Sequence, residues 1–162
     1  MKNNTISRLS IIFIPIILCI CYACSACSTN IEAMKEFKIA ICDHSFSNNA
    51  VLMIVKSNGQ VVVSKGEWLN TGDINSNNFM KIESSDTIQL SNKEIRKLNR
   101  IMKRVEQFDG EFGASVDALY LIADIDGKEY WYNYGVERDD DFHTYIETLR
   151  RYCGISGVSG LY

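Results

Sequence analysis

Residues 118–134 read ALYLIADIDGKEYWYNY, and this stretch decides the fold. Asp126-Gly127 separates two runs of strand-forming residues. A two-residue type I′ turn needs positive φ at both central positions, which Asp-Gly supplies. A turn that short fixes the pairing of the residues around it. Leu119, Leu121 and Ala123 then share a face with Tyr134, Tyr132 and Tyr130. That face reads as core. The opposite face pairs Tyr120 with Asn133, Ile122 with Trp131, and Asp124 with Glu129. Tyr120, Ile122 and Trp131 are therefore a candidate binding patch, since aromatic side chains concentrate at binding hot spots. Covered by a helix or by the C-terminal tail, the same three residues are core.

The pattern recurs upstream. Val51–Lys56 and Gln60–Lys65 flank Asn58-Gly59, a second type I′ signal. The expected register sets Val55 opposite Val62 and Ile54 opposite Val63. Both faces of this hairpin are apolar, which suits the interior of a sheet. Glu36–His44 reads as a strand with Phe37, Ile39 and Ile41 on one face. Glu67–Ser85, rich in Asn and Ser, reads as a long loop carrying Trp68, Ile74 and Phe79. Long loops in compact domains are often functional, so Trp68 and Phe79 join the candidate patch. Asp86–Leu90 reads as a short strand. Ser91-Asn92-Lys93-Glu94 fits a capping box, opening a helix with Ile95, Leu98, Ile101, Met102 and Val105 on one face. Its other face holds Lys93, Arg96, Lys97, Arg100, Lys103 and Arg104. A last helix starts near Asp139–Asp141, buries Phe142, Tyr145, Ile146 and Leu149, and ends at Gly154, ahead of a loose tail. Strands joined by two-residue turns are antiparallel. The expectation is an α+β fold: an antiparallel sheet of about five to six strands with two helices packed on one face.

The N-terminus is a different kind of sequence. Of 162 residues, with 17 basic and 20 acidic, only Lys2 and Arg8 carry charge before Glu32. The net charge of −3 therefore becomes −5 without that segment. Ile11–Cys24 runs without a charged side chain and is roughly 21 Å long as a helix. A bilayer core needs roughly 30 Å, so the run fits the apolar region of a signal peptide. Ala23-Cys24 and Ser25-Ala26-Cys27 follow, each a small residue before a cysteine. This resembles a bacterial lipoprotein signal peptide with its lipobox, although Cys21 or Cys24 stands where the family usually has Leu. The resemblance implies cleavage before a cysteine that then carries lipid: Cys27, with Cys24 as the alternative. Plain secretion is the other reading. The implied organisation is a signal peptide at 1–26, a tether at 27–35 and one α+β domain at 36–162. The implied location is the cell envelope, and the outer membrane facing the periplasm if the cell is Gram-negative. With Cys27 lipidated, Cys42 and Cys153 are left as an even pair in an oxidising compartment, a candidate disulfide.

Catalytic signals are weak. Two histidines, His44 and His143, do not make a zinc site, so no metal and no cofactor are expected. Asp124–Gly127 is explained better by the hairpin than by a calcium loop, and Asp139–Asp141 better as helix caps. Cys42-Asp43-His44 places a thiol and an imidazole on one strand face, but a buried cysteine is the simpler reading. The acidic balance excludes a general nucleic-acid binder. The basic helix face suits anionic lipid or an acidic partner. The sequence therefore suggests a non-enzymatic envelope lipoprotein with a membrane anchor and an unidentified protein partner. Alternatives are an immunity or inhibitor protein acting on an envelope toxin or hydrolase, and an anchored or secreted hydrolase with a dispersed site.

Overall fold

The computed structural model describes residues 31–43, 48–69, 73–105, 108, 119–134 and 140–155. The signal segment, Cys24, Cys27, His44, Asp139 and the tail beyond Ile155 lie outside them. Six strands and two helices follow in order: β1 (Phe37–Asp43), β2 (Asn49–Val55), β3 (Gln60–Trp68), β4 (Met80–Gln89), α1 (Asn92–Met102), β5 (Leu119–Ile125), β6 (Lys128–Tyr134) and α2 (Asp141–Tyr152). The strands form one antiparallel sheet in the order β4-β3-β2-β1-β5-β6. The fold is α+β, as the two hairpins imply.

Both helices pack on one face of the sheet. Phe37, Ile39 and Ile41 of β1 join Val51, Met53, Val55, Val61, Val63, Leu121, Ala123 and Tyr132 beneath them. From above come Ile95, Leu98 and Ile101 of α1, and Phe142, Tyr145, Ile146 and Leu149 of α2. Each fully buried aliphatic or aromatic side chain contributes about 1.5–3 kcal/mol, so this layer is the main source of stability. The capping box is formed: Ser91 N donates to Glu94 Oε2 at 2.7 Å and Glu94 N donates to Ser91 Oγ at 3.4 Å. Ser91 Oγ also donates to Glu94 Oε2 at 2.7 Å, and this bond together with the one from Ser91 N holds the Glu94 carboxyl below its ordinary pKa. At α2, Asp140 caps the start by accepting from His143 N at 2.6 Å. Gly154, with φ of 66°, closes the other end. There Ile155 N donates to Arg150 O at 3.0 Å and Gly154 N to Arg151 O at 3.2 Å, a Schellman motif.

The second hairpin has the expected register, with Asp126 at φ 55° and Gly127 at φ 77°. The first does not. Val55 faces Val61 and Ile54 faces Val62, one residue away from the type I′ pairing. Ser57, Asn58 and Gly59 form a three-residue loop, and only Gly59, at φ 78°, is left-handed. Tertiary contacts explain the extra residue. Ser57 N donates to Glu36 Oε1 at 2.9 Å, and Ser57 O accepts from Met34 N at 2.9 Å. The Ser57 side chain, and after it this backbone bond, lower the Glu36 pKa. A two-residue turn leaves no place for Ser57 between those partners.

Two further expectations change. The tether is shorter than 27–35, because Ile31 and Met34 already pack into the helix-side core. Asn99 Nδ2 also donates to Glu32 O at 2.8 Å. The long loop is shorter as well, since β3 runs on to Trp68 and β4 begins at Met80. β4 is an edge strand whose residues are exposed except Met80 and Ile88. An edge strand wetted on both faces carries no apolar alternation, so its sequence looks like loop. Between Lys65 and Gly66 the β3–β4 register shifts by one, leaving Glu83 as a bulge. A Cβ on Gly66 would stand 2.0 Å from Lys81 O, a backbone atom that cannot swing aside. Gly66→Ala should therefore lower stability by about 1–3 kcal/mol through overpacking. The check is the urea midpoint, which should fall at constant slope; an unchanged midpoint means the bulge adjusts freely.

Candidate functional site

The candidate patch lies on the sheet face opposite the helices. Alternation along β1 puts Ala40 and Cys42 there, beside Ala50 of β2 and Ile122 of β5. These side chains are small except for Ile122, so the middle of the face is shallow. Trp68, Ile74 and Phe79 fill it, and Tyr120 and Trp131 flank them. Trp68 meets Tyr120 edge-on at 6.0 Å, and Tyr120 meets Trp131 at 6.1 Å. Trp68 and Phe79 are each 3% exposed, and Ile122 is fully buried. The five predicted patch residues are thus brought together, with Trp68, Phe79 and Ile122 buried in a second small core and Tyr120 and Trp131 half-buried at its margin. Among the described residues, the element that covers them is the loop after Trp68 rather than a helix. Trp68, Phe79 and Ile122 are corrected to core on that ground.

Backbone and polar contacts hold the loop down. Ile74 N donates to Glu129 Oε2 at 3.1 Å, while Trp131 Nε1 donates to Glu129 Oε1 at 2.5 Å. Lys38 Nζ donates to Asn75 Oδ1. Asp73 Oδ1 accepts from Asn75 N at 2.9 Å, and Leu69 N donates to Phe79 O at 3.1 Å. A loop stitched in this way is a plug.

Beside the plug, at the end of the face nearest the hairpin turns, lies an open cleft of about 210 Å³. Glu36, Lys38, Ile54, Lys56, Asp124 and Asp126 line it. Most of its charges are already engaged. Lys35 Nζ is 2.7 Å from Asp126 Oδ2, Ser57 N serves Glu36, and Lys38 Nζ stands 3.8 Å from Asp124 Oδ2. Ligand pockets are usually about 300–1,000 Å³ and mostly apolar. This cleft is smaller and charged. Among the described residues, no group of three or more His, Cys, Asp or Glu is placed to hold a metal ion.

The cysteines occupy separate layers. Cys42 is fully buried in the loop-covered core, whereas Cys153 packs at the margin of the helix-side core. Both are free thiols, and the sheet lies between them. The candidate disulfide is corrected: parity argued for it, but the residues face opposite sides of the sheet. Burial pushes the Cys42 thiol well up. Burial also raises Cys153, helped by the charge of Glu94, to about 11. Nucleophilic cysteines work as thiolates, so Cys42 is inert as it stands.

Two surfaces stand out among the described residues. One is the outer edge of β4, the longer of the two end strands, which like β6 pairs with no further strand among the described residues. Ile82, at 56% exposed, is the most exposed large apolar side chain described. The other is the outward face of α1. Just past its C-terminal end, Arg104 pairs with Asp141 at 2.7 Å, which raises its pKa, and Lys103 pairs with Glu32 at 2.6 Å. Lys93, Arg96, Lys97 and Arg100 are exposed and make no ion pair among the described residues. Sequence reading marked the basic face and missed the edge, whose only signal was a polar stretch between two apolar strands. No protein-family model and no curated protein matches the chain.

Iodoacetamide should leave Cys42 unmodified in the native state and label it fully after unfolding. Mass spectrometry of unreduced peptides should return Cys42 and Cys153 as separate thiols. A linked peptide containing both would contradict the two-layer arrangement.

Proposed function

We propose that this protein is a bacterial envelope lipoprotein, anchored through lipid on Cys27, that acts as a non-catalytic protein-binding module. The observation that carries the binding part is the free edge of β4. Ten residues of extended backbone, Met80–Gln89, end the sheet, and their outer N–H and C=O groups pair with no strand among the described residues. An extended segment of a partner adds to such an edge as one more strand, with main-chain hydrogen bonds giving affinity. Exposed Ile82 supplies an apolar contact beside that ladder. Glu83 and Lys81 limit indiscriminate pairing, because a bulge and charge are the usual protections of an edge. The anchor rests on the apolar run Ile11–Cys24 and the small residues before Cys27. An immunity protein that captures an envelope toxin is the narrower form of the same reading.

Two measurements test it. Cys27→Ser should move the protein from the membrane fraction to the soluble fraction. Release by Cys24→Ser alone moves the anchor to Cys24, and release by neither defeats the anchor. For the edge, a photo-crosslinking residue at Ser84 or Asp86 should capture one discrete protein in intact envelopes, and the same residue at Lys65 or Lys128 should not. Equal capture at all four positions, or at none, removes β4 as the binding surface.

A further inference from the structure

We propose that the outward face of α1 docks on the anionic phospholipid headgroups of the membrane that holds the anchor. The inference rests on the lipoprotein reading and adds an orientation to it. Three observations meet here. First, Lys93, Arg96, Lys97 and Arg100 form an exposed strip of four cations, on a chain whose net charge is negative. Second, the start of the domain runs against this helix. Asn99 Nδ2 donates to Glu32 O at 2.8 Å and to Ala33 O at 3.4 Å, and Lys103 Nζ lies 2.6 Å from Glu32 Oε2. Third, Cys27 stands only four residues before Ile31. Four extended residues reach at most about 14 Å. A lipid on Cys27 therefore holds α1 close to the bilayer surface, where the attraction of anionic headgroups extends over about one Debye length of 8–10 Å.

The pairing just past the end of the helix fits this occupant. Lys103 is used to hold Glu32, and Arg104 to hold Asp141 on α2. The cations left over lie toward the N-terminal side of those two. Each Lys or Arg held at an anionic surface raises partitioning about five-fold. Four of them on one helix face orient a domain that already has a covalent tether. An acidic protein would need carboxylates matched to the strip, whereas a headgroup layer presents phosphates at any spacing.

The test uses the full lipidated chain in two kinds of vesicle, phosphatidylglycerol mixed with phosphatidylcholine, and phosphatidylcholine alone. Acetylation of lysine amines is followed residue by residue. Lys93 and Lys97 should acetylate about five-fold more slowly on the anionic vesicles than on the neutral ones. Lys65 and Lys128 should not differ, and 0.5 M salt, on the order of a 4 Å Debye length, should abolish the protection. Arg96→Gln with Arg100→Gln, both at exposed positions, should weaken it without altering the thermal melt. Flotation in high salt reads the anchor separately. Protein that floats on both vesicles with Lys93 equally reactive on both overturns the docking and leaves the anchor standing. Protein that floats on neither, yet keeps the protection on anionic vesicles in low salt, overturns the anchor and leaves the basic face as a lipid-binding surface. Protection by an acidic envelope protein, with none by anionic vesicles, assigns the strip to a protein partner and overturns the proposal.

Discussion

Everything in this fold depends on β1 having two buried faces. It is a central strand, paired with β2 on one side and β5 on the other. Phe37, Ile39 and Ile41 point into one layer, and Ala40 and Cys42 into the other. The two layers are unequal by side-chain volume. The large residues demand thick cover, and two amphipathic helices give it. The small residues leave a shallow surface that a helix would not fill well. A single loop carrying Ile74 and Phe79, with Trp68 at the end of β3, is enough. The choice of Ala and Cys on alternate positions of one strand thus decides which segments become cover and which become surface.

Much of this was readable. Periodicity located both helices and most strands, because each buries a stripe against something. The Asp126-Gly127 turn set its register correctly, since the remote contact it makes, from Lys35 Nζ, goes to the Asp126 side chain and leaves the turn backbone to its local preference. Asn58-Gly59 is the instructive contrast. The same local signal yielded to Ser57, which bonds to Glu36 and Met34 from a distant part of the chain. Turn chemistry ranks local options, and contacts between remote segments choose among them. Part of the binding patch turned out to be core for a related reason. Tyr120, Ile122 and Trp131 were assigned to the right face, and Trp68 and Phe79 were grouped with them. Alternation says which residues share a face; it does not say what lies on top.

The cysteine pairing shows the limit of counting. Parity treats thiols as free to find each other, but a sheet is a barrier. Cys42 is on an even-numbered position of β1, facing the loop, and Cys153 follows α2 on the helix side. No relaxation short of unfolding brings them together. The edge strand was missed for the opposite reason: it has too little hydrophobic signal. Glu83, Ser84, Ser85 and Asp86 are compatible with a strand only because the neighbour β3 supplies the ladder on one side.

The surfaces left open follow from the same inequality of layers. Polar residues that must stay wet collect where neither layer needs cover, along β4 and on the outside of α1. Trp68 and Phe79 on the loop-covered face are closed off, because the aromatics there pack on one another and Glu129 ties both Ile74 and Trp131 in place. Opening it would expose Trp68, Phe79 and Ile122 together. At about 1.5–3 kcal/mol each, that is a large share of the 5–15 kcal/mol stability typical of a domain. On the binding reading proposed above, recognition falls to rigid elements that are complete before a partner arrives. The backbone of β4 and the charged strip of α1 meet that condition, and the Glu32 contacts that place the strip beside the incoming chain are made within the folded domain itself.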